Sequence, residues 1–241
     1  MPEELGRPQD PPPLAVTARA ITVRGPWGPV YGPTDLDVDA GGVTVLGCPA
    51  GSGRTALLMT LAGRMRPMAG ELTVFGHTRA KDIFGVSALA GIDELDTVAE
   101  AVTVRDLITE QLRWNAPWYR LIRRAEQSDL ATVCGPVFGE LPLPPLTEYF
   151  DELSELDRLL LRISLANTGR PPLLVVGNLD FVTSDRNRDL LVGRLVDLGR
   201  QQTVITATVN GVAGHDVRLL PVTNTSRSET ADAIHTTKDG A

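Results

Sequence analysis

Lysine and cysteine are almost missing from this chain of 241 residues. Lys81 and Lys238 are the only lysines among 23 basic residues, so arginine carries positive charge nearly everywhere. The two cysteines are Cys48 and Cys134. Cys48 lies inside a glycine-rich stretch, which argues against a structural disulfide and for a reducing compartment. Aromatic residues make up 5% of the chain, so the close grouping of Trp114, Trp118 and Tyr119 stands out. No apolar run reaches the roughly 18–20 residues that cross a bilayer, so a spanning helix is not expected. The acidic, proline-rich start does not read as a secretory leader. A net charge of −7 argues against broad nucleic-acid binding. The hydrophobic fraction of 42% is ordinary for a globular chain and is enough for one large domain with a filled core.

Against these absences stands one dense motif, Gly47-Cys48-Pro49-Ala50-Gly51-Ser52-Gly53-Arg54-Thr55. It reads as a phosphate-binding loop with arginine in place of lysine. An apolar run, Val43 to Leu46, precedes it and a helical pattern over 56–65 follows, the strand–loop–helix context such a loop requires. Glycines let successive backbone N–H groups turn toward an anion, and the start of the helix adds its positive dipole end. Gly47, Gly51, Ser52, Gly53, Arg54 and Thr55 are therefore the candidate phosphate-binding residues. The Thr55 hydroxyl is also the candidate ligand for Mg2+ beside a bound nucleotide. Because lysine is so scarce, Arg54 alone is weak evidence of lost function. Its planar guanidinium is still bulkier than an ammonium and reshapes the loop.

Around this motif the chain reads as a disordered tail over 1–13, an ordered domain over 14–222 and a second disordered tail over 223–241. The stretch 14–23 alternates as a strand, and a loop carrying Trp27, Gly28 and Gly32 follows. Residues 71–76 read as a strand ending in a turn. Residues 93–165 are helical in pattern, broken by a Gly/Pro-rich loop over 135–145, and Pro171-Pro172 closes the last helix. Leu173-Leu174-Val175-Val176 and Thr203-Val204-Ile205-Thr206 read as strands buried on both faces, with a helix over 186–198 between them. Residues 217–222 add a last strand. The expected fold class is α/β: a mostly parallel core sheet with an N-terminal antiparallel β part. The core lobe is expected over 14–90 and 171–222, with an inserted helical lobe over 91–170.

Taken in order, these segments resemble the ATP-binding cassette family, the nucleotide-binding subunits of ABC transporters. Leu61-Ala62-Gly63-Arg64, Pro67 and Gly70-Glu71-Leu72-Thr73-Val74-Phe75-Gly76-His77 look like the helix end and hairpin after the family's Walker A loop. Thr103-Val104-Arg105-Asp106-Leu107 looks like the start of its helical lobe. Leu153-Ser154-Glu155-Leu156-Asp157-Arg158 sits where its signature belongs, and an unbroken register runs from there into the Walker B strand. The resemblance spans about 14–222. It implies ATP as ligand, a dimer with itself or another such subunit, an integral-membrane permease as partner, and a cytoplasmic place on the inner face of the membrane.

The same resemblance implies losses. The Walker B carboxylates fall on Gly177 and Asn178, the Q-loop glutamine on Gly91 and the switch histidine on Val209. The signature glycines and glutamine fall on Glu155, Leu156 and Asp157. A missing general base alone costs about 10²–10⁴-fold in rate. The resemblance thus implies a subunit that binds ATP weakly, hydrolyses little and supports a permease, with no catalytic residue and a doubtful Mg2+ site. An active ATPase in an asymmetric heterodimer and a soluble regulator are the alternatives. Trp27 falls where the family stacks adenine, or it packs on the sheet edge. Asp180 is a substitute metal ligand or, more simply, a solvated turn residue. Ser154 reads as an N-cap. The run from Arg113 to Arg124 is either a solvated helix or the docking face for a permease.

Overall fold

The computed structural model describes residues 13–92 and 101–226. The tails expected over 1–13 and 223–241 therefore fall almost wholly outside the described residues, as do residues 93–100 of the helical stretch. A three-stranded antiparallel sheet has the order β2-β1-β4, built from β1 (Leu14–Gly25), β2 (Gly28–Asp39) and β4 (Ala69–Val74). The second sheet is wholly parallel. It runs β5-β6-β7-β3-β8, with β3 (Val43–Gly47), β5 (Ser87–Ala90), β6 (Leu173–Asn178), β7 (Thr203–Thr208) and β8 (Arg218–Pro221). β6 and β7 are buried along their full length, which is why they read as unbroken apolar or β-branched runs.

The helix that follows the glycine-rich loop, α1 (Ser52–Leu61), lies between the two sheets. Leu57, Leu58 and Leu61 are buried there with Val16, Val38, Val175 and Ile205. A hydrogen bond fastens α1 to β2: the Tyr31 hydroxyl donates to Thr60 Oγ1 at 2.8 Å, and Thr60 donates onward to Ala56 O at 2.8 Å. Burial pushes the Tyr31 phenol up to about 12, so it stays a neutral donor. Tyr31→Phe is expected to lower stability by about 1 kcal/mol, the usual net worth of such a bond. Urea denaturation checks it, and an unchanged midpoint would mean that the bond anchors nothing.

Four further helices and one short one complete the fold: α2 (Ala80–Gly85), α3 (Val104–Asn115), α4 (Gln127–Phe138), α5 (Glu155–Ala166) and α6 (Asp185–Gly199). α3 starts on a reciprocal cap, in which Thr103 Oγ1 accepts from the Asp106 N–H and Asp106 accepts from the Thr103 N–H. A second core joins α3 to α6 with the other face of the parallel sheet, through Ile108, Leu130, Phe138, Leu160 and Leu195.

Local composition misleads at five places. The stretch around Gly28 and Gly32 is not a loop but most of β2, because hairpin pairing with β1 outweighs its Gly/Pro content. The helix after the loop begins at Ser52 and ends at Leu61, not Met65. Gly63 turns it off at φ +67, where Ala80 and Phe84 crowd it. α4 runs through Pro136 to Phe138, so the loop expected from Gly135 starts later. Burial of Val137 and Phe138 offsets the lost backbone bond, and Arg194 donates to the carbonyls of Pro136 and Val137. α2 and β5 had no signal, being short and rich in small residues. Residues 223–226 are held rather than loose: Gly32 N donates to Asn224 O at 2.9 Å, and Asn224 Nδ2 donates to Pro33 O at 3.0 Å.

Candidate functional site

The glycine-rich loop leaves the end of β3 and closes on α1. Gly47 is still a strand residue, and its carbonyl accepts from Val222 N at 2.9 Å. The turn itself begins at Cys48, whose N–H donates to Thr208 O at 3.1 Å. Gly51 takes φ +141, a backbone state that a side chain would disfavour. No side chain caps α1 and its first turn holds no acidic residue, so no side chain partners its first N–H groups. Gly51 and Ser52 are exposed at that end. Gly53 is squeezed between the carbonyl oxygens of Val30 and Thr225, leaving no room for a Cβ. The Thr55 hydroxyl is half-buried and makes no hydrogen bond among the described residues.

Arg54 is already engaged before any phosphate arrives. Its guanidinium Nη1 donates to Asp180 Oδ2 at 3.3 Å, and the two side chains are only 9% and 17% exposed. Asp180 is held on every side. Thr208 Oγ1 donates to it at 2.7 Å, Val209 N at 2.8 Å and Asn210 Nδ2 at 3.2 Å. Burial pushes the Asp180 carboxyl upward, but those hydrogen bonds and the Arg54 charge outweigh it and hold it below the ordinary carboxylate range. Asp180 is thus neither a solvated turn residue nor a metal ligand in this arrangement. It is the counter-ion of the loop arginine.

The positions beside it are closed by packing. β6 bulges between Val175 and Asn178 against β7. There Gly177 presses so closely on Gly91 that a Cβ on Gly177 would overlap the Gly91 carbonyl oxygen and sit 2.7 Å from its carbon. Gly91 itself holds φ +71, and a Cβ on it would lie 2.6 Å from Leu159 Cδ1. Asn178 spends its side-chain oxygen on Asp180 N at 3.0 Å instead of facing open solvent. No cluster of three or more His, Cys, Asp or Glu able to hold a metal occurs among the described residues. Mg2+ beside phosphates is ordinarily held by one or two carboxylates together with water; Gly177 and Asn178 bring none and Asp180 is spent on Arg54, so the residues present do not fit Mg2+.

The stretch 153–158 is likewise committed. Ser154 Oγ accepts from Asp157 N at 3.1 Å and caps α5, as its position before a helix suggests. Glu155 turns back to its own chain and accepts from the Thr183 N–H and hydroxyl at 3.0 Å each, which holds its carboxyl low. Val209 lies with its side chain exposed, and its backbone serves Asp180. Trp27 is 83% exposed at the β1–β2 turn, so it does not pack on the sheet edge. It shares a cavity of about 430 Å³ with Pro29, Gly51, Ser52, Gly53 and Thr225. That cavity puts an aromatic face next to the open end of α1. His215, away from this site, pairs with Asp189 at 2.7 Å.

No family model matches the chain. A cytochrome c biogenesis ATP-binding export protein of Pseudomonas putida is 31% identical over 97 residues, which is 37% of this chain and 46% of that protein. A Streptomyces coelicolor protein described as an ABC transporter ATP-binding protein is 27% identical over 88% of this chain and 35% of its own length. The match spans less than half of each of these two relatives. Among solved structures, an inward-facing metal-chelate type ABC transporter superposes with a TM-score of 0.66 over 88% of this chain and 81% of its own, at 16% identity. The chain therefore has the α/β fold of ABC-type ATPases, and its relatives in sequence are ATP-binding proteins of ABC transporters.

Proposed function

We propose that this chain is a nucleotide-binding subunit of ABC-transporter type that holds ATP weakly, hydrolyses little of it and supports a membrane permease by assembly. The observation that carries this reading is the Arg54–Asp180 pair, which spends the loop's cation on the chain's own carboxylate. The closed Gly91–Gly177 contact supports it from the metal side. The open end of α1 and the exposed Trp27 argue that phosphate and base can still be met, so nucleotide binding is reduced rather than abolished. The permease partner, the pairing with a second subunit and the place at the inner membrane face come from the resemblance and from what the relatives are called. No helix among the described residues is long and apolar enough to cross a membrane.

Calorimetry of ATP and ADP with the purified chain, with and without magnesium, tests the reading. Weak binding with little dependence on magnesium is expected. Arg54→Ala should weaken it by about 10-fold or more, since hydrogen bonds to charged groups are worth about 1.5–3 kcal/mol. ATPase activity well above background that vanishes in Arg54→Ala would overturn the proposal in favour of a working ATPase.

A further inference from the structure

We propose that residues 113–124 form a contact surface for the head groups of an anionic phospholipid membrane. This stretch, Arg113-Trp114-Asn115-Ala116-Pro117-Trp118-Tyr119-Arg120-Leu121-Ile122-Arg123-Arg124, holds four arginines and no carboxylate in a chain whose net charge is −7. It is a local inversion of sign. Arg124 leans toward Asp106 at 3.5 Å, whereas Arg113, Arg120 and Arg123 have no carboxylate partner among the described residues.

The apolar residues between the arginines point outward. Trp118 is 96% and Leu121 94% exposed, and Trp114 and Tyr119 are exposed as well. They are presented, not merely loose. The stretch leaves the end of α3 and makes a turn in which Arg120 N donates to Pro117 O at 2.9 Å, so Trp118 and Tyr119 sit at its tip with their rings edge to face. It is then pinned again at the fully buried Ala125, whose N–H donates to Thr109 Oγ1 at 2.9 Å. A segment fixed at both ends therefore carries tryptophan, tyrosine and leucine at its crest with arginines around them.

That composition matches the interface of a bilayer. Indole and phenol rings settle at head-group level, and arginine stems lie along apolar matter while their heads meet phosphate. The hollow behind the segment has a mixed lining, with Trp114, Ala116 and Trp118 beside Asp106, Glu110 and Arg124. It is the exposed crest and its arginines, not this hollow, that match a membrane surface. This inference does not depend on whether the chain binds nucleotide.

Co-sedimentation of the full chain with vesicles of phosphatidylcholine alone, and with phosphatidylglycerol added, tests it. The chain should pellet with the anionic vesicles only and be released by salt. Each Arg→Gln change at 113, 120, 123 or 124 should lower partitioning by about fivefold. Tryptophan emission should shift to shorter wavelength on binding, and the shift should shrink in Trp118→Phe and vanish when Trp114 is also changed to Phe. An unchanged circular dichroism spectrum would show that the variants remain folded. Failure to pellet with anionic vesicles would overturn the proposal and turn the same surface toward a protein partner. Equal binding to both vesicles, or wild-type binding when all four arginines are changed to Gln together, would also overturn it.

Discussion

Asp180→Asn should bind ATP more tightly than the wild type while unfolding more easily. The two effects have one cause. In the unliganded chain Arg54 is buried and neutralised by Asp180. A nucleotide phosphate that takes Arg54 must first displace that carboxylate or lie beside it, and either course costs free energy that the asparagine variant does not spend. Charge-assisted hydrogen bonds of about 1.5–3 kcal/mol set the expected gain at roughly 10- to 100-fold in affinity. The opposite arm follows from the same burial. An arginine left without its counter-ion in a nearly closed site destabilises the fold, by about 1–3 kcal/mol where water still reaches one side of the pair. Calorimetry reads the first arm and urea denaturation the second. A carboxylate with a purely architectural role would lower both stability and affinity on removal. That result, or unchanged affinity, would show that Asp180 does not compete with phosphate.

The pair is also set against control by ordinary pH. Asp180 titrates lower in the folded chain than in the unfolded one, where a carboxyl sits near 3.9. Its stabilising contribution is therefore fully present above about pH 4 and is lost as pH falls through the folded value. Between neutral and mildly acidic pH the latch stays charged and closed. Only a competing anion, or movement of the turn after β6, opens it.

What could be read from the sequence follows the range of the forces involved. β3, β6 and β7 were legible because a strand buried on both faces must be apolar or β-branched along its length. The Ser154 cap was legible because it needs only a hydroxyl and the next few residues. β2 was not, since Gly28, Pro29, Gly32 and Pro33 are turn formers that only the hairpin with β1 holds extended. Asp180 was misread for the same reason at longer range. It is one of 30 acidic residues, and nothing nearby in sequence marks it as the partner of Arg54, 126 positions away. Thr225 was missed because a Thr/Ser-rich terminus reads as loose chain, whereas its carbonyl closes on Gly53. One signal was available and unused. Gly91 directly follows β5 and Gly177 is the last residue but one of its neighbour β6, and two glycines one step past the paired Ala90 and Val176 suggest that the backbones touch.

That contact sets the last prediction: Gly177→Asp, which would return a carboxylate to the place where the resemblance puts a metal ligand, should damage the fold and restore no hydrolysis. The first atom added is a Cβ, and it meets backbone, not a side chain that can swing away. It overlaps the Gly91 carbonyl oxygen and lies 3.3 Å from Ile92 Cδ1. Backbone cannot yield without parting β5 from β6 or undoing the bulge before Asn178. Overpacking of this kind costs about 1–3 kcal/mol and more when the main chain must move. The carboxylate would add a charge with no metal cluster among the described residues to balance it. Gly177→Ala separates the two terms, because it carries the clash without the charge. Alanine should account for most of the loss in thermal midpoint, with aspartate losing more. If Gly177→Asp instead keeps wild-type stability and gains magnesium-dependent ATPase activity, β5 and β6 can move apart at their ends. The closed contact would then be one of two states, and the missing carboxylate alone would explain an inactive site. If both variants are destabilised and silent, the packing of β5 against β6 excludes a carboxylate at 177, and placing one there would require Gly91 and Gly177 to change together.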